Sequence, residues 1–245
     1  MFNSQNIGIR ASSGGAGGLA LPDRSLSFTR TSGQYLTISN SSFGTFDRSK
    51  FAVSFWFKRT NTTGAFHVLY SKALGGTQNS FFICLYNDNL YFAGYENGAA
   101  DVGTLITTAT YTSTTNWYHV LAYYDSANAT ATNRMRLWVD GSEVTSFSVD
   151  TAPNNPVFAG TDPVRIAATG AGTEFDGLIY QPAFFSGSLP TIAEVYNAGA
   201  AKDISSISGL HSYLHTTNSS TLEDDYILAS DWTNNNSVIK NTSIP

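Results

Sequence analysis

Along most of the chain apolar and polar residues alternate with a period of two, the signature of half-buried strands rather than of helices. The clearest case is Phe51-Ala52-Val53-Ser54-Phe55-Trp56-Phe57-Lys58, with Phe51, Val53, Phe55 and Phe57 on one face. Its other face, Ala52, Ser54 and Trp56, is only partly polar. That mixture suits a strand whose inner face meets a second sheet while loops partly cover its outer face. Similar runs predict strands over 26–28, 35–38, 65–71, 80–86, 90–95, 104–109, 117–124, 135–139, 143–149, 164–168 and 175–185. Asn87-Asp88-Asn89 tolerates left-handed backbone, and Asp140-Gly141 between two strands is the strongest hairpin signal in the chain. Pro182 removes a backbone donor, so the strand over 175–185 is expected to bulge there or to lie at an edge. Only one stretch asks to be a helix, over 190–198: Ser188 can cap, Pro190 is tolerated in the first turn, Ile192, Val195 and Tyr196 share a face, and Gly199 can close it. Short strands at even spacing predict an all-β sandwich or barrel.

Composition agrees with strands and polar loops. Charged residues are 13% of the 245, against a typical ~25%, and Phe, Trp and Tyr are another 13%. A net charge of -5 leaves no basic stripe for phosphates, so neither nucleic acid nor an anionic membrane is an expected partner. The single cysteine, Cys84, lies in the apolar run Phe81-Phe82-Ile83-Cys84-Leu85 and reads as a small buried hydrophobe. No run approaches the ~18 apolar residues of a membrane span, and Met1-Phe2-Asn3-Ser4-Gln5-Asn6 does not begin a secretion signal. Residues 1–24, with Gly14, Gly15, Gly17 and Gly18, are expected to form a flexible or partner-ordered arm. Gly15-x-Gly17-x-x-Ala20 matches a dinucleotide fingerprint formally, but no strand precedes it and Leu21-Pro22 stands where a helix should run.

The order of the strands, with Leu26-Ser27-Phe28, Tyr35-Leu36-Thr37-Ile38, Phe51 to Lys58, Val68-Leu69-Tyr70-Ser71-Lys72, Trp117-Tyr118-His119-Val120, Arg136-Leu137-Trp138-Val139-Asp140-Gly141, Phe175-Asp176-Gly177-Leu178-Ile179 and Ile192-Ala193-Glu194-Val195-Tyr196-Asn197, resembles the laminin G-like branch of the concanavalin A-like superfamily. The resemblance implies an all-β jelly-roll sandwich of two antiparallel sheets with one short helix in the C-terminal third. It also implies that the strand over 175–185 pairs beside the first strand. It covers roughly residues 25–205, leaving 206–245 as a closing segment that packs on the sandwich or on a neighbouring subunit. That segment, with 210–214, Asp231-Trp232-Thr233-Asn234-Asn235-Asn236 and 239–242, looks like the end of laminin G-like proteins of bacteriophages.

Glucanases of this superfamily use paired carboxylates delivered from one strand face. Glu174-x-Asp176 begins that spacing, but Leu178 and Tyr180 follow on the same face and no second glutamate arrives. A structural hydrogen bond from Asp176 to a neighbouring loop is expected instead, and no catalytic residue is assigned. His211 and His215 on a strand stand too far apart for one ion. Relatives of the fold carry calcium at the sandwich rim, and Asp88, Glu96 and Asp101 are the candidate ligands here, although each also reads as a solvated loop residue. For a glycan, Tyr91, Tyr95, Asn97 and Asp101 form the most lectin-like region, with rings to stack and polar groups to fix hydroxyls.

The function expected is that of a non-enzymatic virion structural protein, a phage capsid decoration, capsid-associated or tail-fibre protein. It would present a lectin-like sandwich for adhesion to a host-surface glycan. Its partners would be other capsid or tail proteins and copies of itself, its location the virus particle. The alternatives are a carbohydrate-binding module of a secreted or cell-surface protein and a divergent glucanase.

Overall fold

A computed structural model describes residues 20–72, 80–95, 103–153, 160–170 and 172–245. The chain forms β1 (Ser25–Phe28), β2 (Tyr35–Ile38), β3 (Lys50–Arg59), β4 (Phe66–Lys72), β5 (Ser80–Tyr86), β6 (Asn89–Tyr95), β7 (Gly103–Thr110) and β8 (Tyr118–Asp125). It continues with β9 (Met135–Val139), β10 (Ser142–Glu143), β11 (Phe147–Thr151), β12 (Val164–Ile166), β13 (Gly177–Ser186), β14 (Leu210–Tyr213), β15 (Thr233–Asn235) and β16 (Ile239–Asn241). Among the described residues two one-turn helices, α1 (Asn40–Phe43) and α2 (Ile192–Val195), and two short 3-10 turns accompany the strands.

The strands make two antiparallel sheets. The first runs β10-β9-β8-β3-β13-β1-β16, with β14 also paired to β13; the second runs β11-β7-β6-β5-β4-β12-β2-β15. The period-two pattern explains the layering. Phe51, Val53, Phe55 and Phe57 of β3 face Leu69, Phe81, Ile83, Leu85 and Phe92 of the second sheet in one core, and all are buried. The expected jelly-roll sandwich is therefore the fold, and β13 pairs with β1 as the resemblance implied.

The outer face of the first sheet is covered. Ala52, Leu121, Trp138, Ala183 and Phe185 pack under Leu189, Ile192, Val195, Ile204 and Ile207 of the chain that follows β13. Pro182 resolves as a bulge and not as an edge: the β13–β3 register shifts between Tyr180 and Ala183, Gln181 takes φ 50, and β13 stays in the middle of the sheet. Beyond the bulge, β14 occupies the side of β13 that β1 occupies before it.

Three expectations on local elements need correction. The helix over 190–198 shrinks to Ile192–Val195, because Thr191 rather than Ser188 precedes it and Tyr196, extended at φ -129, ends it well before Gly199. It is also not the only helix: Ser39 accepts a hydrogen bond from the Ser42 amide and caps α1, which carries Phe43 into the core. The single strand expected over 143–149 is two, β10 and β11, each on the end of a different sheet.

Candidate functional site

At one level of the first sheet, three adjacent strands raise large side chains on the outer face. Tyr180 of β13 lies opposite Trp56 of β3, and Trp56 lies opposite His119 of β8. Directly opposed residues project to the same side, so the three form a row. Trp56 is only 2% exposed; its ring meets His119 edge-on at 4.9 Å and is stacked by Tyr196, just past α2, at 5.5 Å and 26°. Trp117, immediately before β8, meets Tyr180 edge-on at 6.4 Å, and the Tyr180 hydroxyl donates to the Pro22 carbonyl at 2.8 Å.

These rings surround an open pocket of about 370 Å³, lined by Trp56, Trp117, Tyr196, Asn116, Asp140, Gly199 and Pro245. Its size lies in the range of small-molecule sites, roughly 300–1,000 Å³. The β9–β10 turn delivers its carboxylate. Asp140 at φ 48 and Gly141 at φ 80 form a two-residue hairpin loop of the kind that matches strand twist. Asp140 Oδ1 accepts the His119 backbone N–H at 2.7 Å, while the Asp140 N–H donates to the His119 carbonyl at 3.0 Å. Burial pushes the Asp140 carboxyl above its ordinary value, against the pull of that backbone donor, and burial together with the Asp140 charge raises the Tyr196 phenol. Gly141 serves the pocket as well as the turn: a Cβ there would lie 2.5 Å from Tyr196 Cε1. Asn116 is set by a tight turn in which Ser113 Oγ accepts the amides of Thr115 and Asn116.

Beneath this row Ser54 Oγ and His119 Nε2 are 3.0 Å apart. The pair does not make a nucleophile. Ser54 is buried, and burial holds the His119 imidazole neutral down to about 3. Asp140 bonds the histidine's backbone, and His119 Nδ1 has no partner among the described residues, so no acid orients the ring. Trp56 Nε1 is likewise buried without an acceptor among the described residues.

Of the residues singled out from the sequence for a ligand or an ion, Tyr91 and Asp88 lie away from this pocket. Tyr91 is half-buried on the outer face of the second sheet, 5.2 Å from the Phe82 ring and 6.2 Å from Tyr86. Tyr95 ends β6, and Glu96, Asn97 and Asp101 lie outside the described residues. Asp88 stands at the other end of β6, in the turn after β5, seven residues and about 20 Å of extended chain from Tyr95. There it accepts Arg59 Nη1 at 2.6 Å, the guanidinium being fully buried. Asp88 therefore neutralises an internal cation. Among the described residues no group of three or more His, Cys, Asp and Glu could hold a metal ion. His211 and His215 go separately to the carbonyls of Phe43 and Ala20, at 2.8 and 2.7 Å. Asp176 takes the structural role expected of it, accepting the Arg30 N–H at 3.0 Å and Asn61 Nδ2 at 3.3 Å. Glu174 accepts the Gly172 N–H at 2.9 Å.

The model of the concanavalin A-like lectin/glucanases superfamily matches residues 30–192, about two thirds of the chain. The chain belongs to this superfamily. Solved structures agree on the fold: a native heptameric SAP-like pentraxin from Limulus polyphemus superposes with a TM-score of 0.59 at 14% identity, covering 91% of this chain and 96% of that one. Mouse laminin alpha1 domains LG4-5 superpose at 0.50 and 14% identity, covering 74% of this chain and 48% of that two-domain chain. No curated protein sequence matches significantly. Within this concanavalin A-like sandwich the aromatic pocket sits on the face that carries α2. Sequence reasoning missed it because its residues come from five separate segments. One signal was available: the outward position of Trp56 on a strand whose outer neighbours are Ala52 and Ser54.

Proposed function

We propose that the chain is a non-catalytic carbohydrate-binding sandwich whose ligand site is the pocket between Trp117, Tyr196 and Asp140. One observation carries this reading: flat rings converge with a carboxylate that solvent still reaches and an amide beside the outer face of the first sheet. Sugars offer an apolar ring face and a fringe of hydroxyls, and a site for them needs aromatic surface beside acceptors and donors. Asn116 offers both hydrogen-bonding senses and Asp140 accepts. The superfamily contains both lectins and glucanases. The binding reading is favoured because Glu174 and Asp176 are spent on structural bonds and the Ser54–His119 pair is sealed. A glycan array followed by calorimetric titration tests it. Trp117→Ala should weaken the best-bound glycan at least tenfold while the melting temperature holds, and a chain that binds no glycan would refute the reading.

Placement on a virus particle and self-association remain separate proposals. They rest on the glycine-rich residues 1–24, of which 1–19 lie outside the described residues, and on the expectation that a lectin-like module acts in several copies. Mass spectrometry of purified particles tests the first, and sedimentation of the full chain tests the second.

A further inference from the structure

The charges around the pocket narrow what it can hold. Asp140 is the one acidic side chain in the lining among the described residues, and no lysine, arginine or histidine among them lines it. The cations of neighbouring elements are committed elsewhere: both Arg136 Nε and Nη2 bind Glu143, at 2.6 Å each, and Lys202 Nζ donates to the Ala193 carbonyl at 2.6 Å. Lys58 shares the outer face of β3 with Trp56 but is not among the lining residues. Asp140 spends Oδ1 on the His119 N–H, and its Oδ2 has no donor among the described residues. A hydroxyl can fill that acceptor. A carboxylate or sulfate brought to the same place would meet a like charge with no cation between them.

We propose, resting on the sugar-binding reading above, that this pocket selects uncharged pyranoses, with a ring hydroxyl donating to Asp140 Oδ2, and rejects acidic sugars. The polar lining makes a matching demand: Asp140 requires a ligand donor, Asn116 offers both a donor and an acceptor, and an uncharged hydroxyl answers each.

Titration of the full chain with matched neutral and acidic ligands tests this: lactose, cellobiose and N,N′-diacetylchitobiose against sialyllactose and glucuronate-bearing or sulfated disaccharides. Neutral ligands should bind at least tenfold tighter than their acidic counterparts. Asp140→Asn keeps the turn-compatible side chain and the Oδ1 acceptor, and should narrow that gap to less than threefold. Acidic ligands binding as tightly as neutral ones, in a manner still lost in Trp117→Ala, would overturn the selectivity and leave the sugar site standing. An unchanged gap in Asp140→Asn would equally remove Asp140 from the role. If neither class binds, or binding ignores Trp117→Ala, the sugar-binding reading itself fails and takes this inference with it.

Discussion

Asp225 is 1% exposed and its two carboxylate oxygens collect five donors: Ser212 Oγ at 2.5 Å, the amides of Tyr213, Ile227 and Leu228 at 2.9–3.1 Å, and Trp232 Nε1 at 3.0 Å. Removing the acceptor strands three of those donors, Ser212 Oγ, the Tyr213 amide and Trp232 Nε1, in the interior, and each stranded buried group costs roughly 1–3 kcal/mol. Asp225→Ala should therefore lose about 3–5 kcal/mol by urea denaturation, and a loss below 1 kcal/mol would show that water or other groups replace the carboxylate. His119 makes a prediction with a sign. Burial lowers its pKa from 6.5 to about 3, so below the unfolded value the unfolded chain takes up a proton that the fold refuses. The contribution is nearly complete at pH 7 and is lost as pH falls toward 3, amounting to about 2 kcal/mol by pH 5 at ~1.4 kcal/mol per pH unit. His67 is lowered too, by burial and by the charges of Arg59 and Arg30, and adds a slope of the same sign. His119→Gln should flatten the decline in unfolding free energy between pH 7 and 5 without abolishing it. An identical slope in wild type and variant would remove His119 from that role. None of these residues could be found in the sequence, since a lone Asp in Glu223-Asp224-Asp225 or a His in a strand pattern gives no sign of what surrounds it.

Elements were legible where one local rule governs them. Asp140-Gly141 demanded a hairpin and makes one; Pro182 could not donate and the strand bulges around it; the alternation in 51–58 named the inner face of β3 correctly. The helix failed at its ends because Ser188, Pro190 and Gly199 are all permissive signals, whereas Glu194 reaching back to the Thr191 amide and hydroxyl at 2.7 and 2.8 Å fixes the actual start. A four-residue helix such as α1 has no periodicity to detect. The pocket illustrates the same limit: the Asp140-Gly141 turn was visible, but not that Tyr196 would fold back over its glycine. This contact makes the turn testable. Gly141→Ala meets both an unfavourable φ of +80 and the Tyr196 ring, whereas Gly172→Ala, at φ +86 with nothing within 4 Å of a Cβ, meets the backbone term alone. The backbone term is about 1 kcal/mol. Gly141→Ala should cost about 1–2 kcal/mol more than Gly172→Ala in urea denaturation, and only Gly141→Ala should weaken glycan binding. Equal costs would mean that Tyr196 swings away freely.

At the scale of the whole molecule, the matched family region ends at residue 192, yet the sandwich does not close there. The chain after it returns to both layers: β14 and β16 join the first sheet beside β13 and β1, and β15 extends the second beside β2. Between these strands Leu214, Leu222, Trp232 and Val238 enter the main core, all less than 9% exposed, and Trp232 meets Phe43 edge-on at 6.5 Å. The tail thus holds the two layers together across the end where α1 sits, while Asp225 fixes its own course. Deleting 209–245 would uncover β1 and β2 as sheet edges and empty four core positions. Loss of a large buried apolar side chain costs roughly 2–5 kcal/mol, so four together match or exceed the ~5–15 kcal/mol that keeps a domain folded. The truncated chain should show no cooperative thermal transition and should aggregate, as unpaired strand edges do. A sharp melt within a few degrees of the full chain would mean that residues 20–208 are a self-sufficient sandwich and the tail an accessory. The pocket would then decide how much the tail contributes to function, because Pro245 lies in its lining: a folded truncation that binds glycan with unchanged affinity would leave the tail no part in the site.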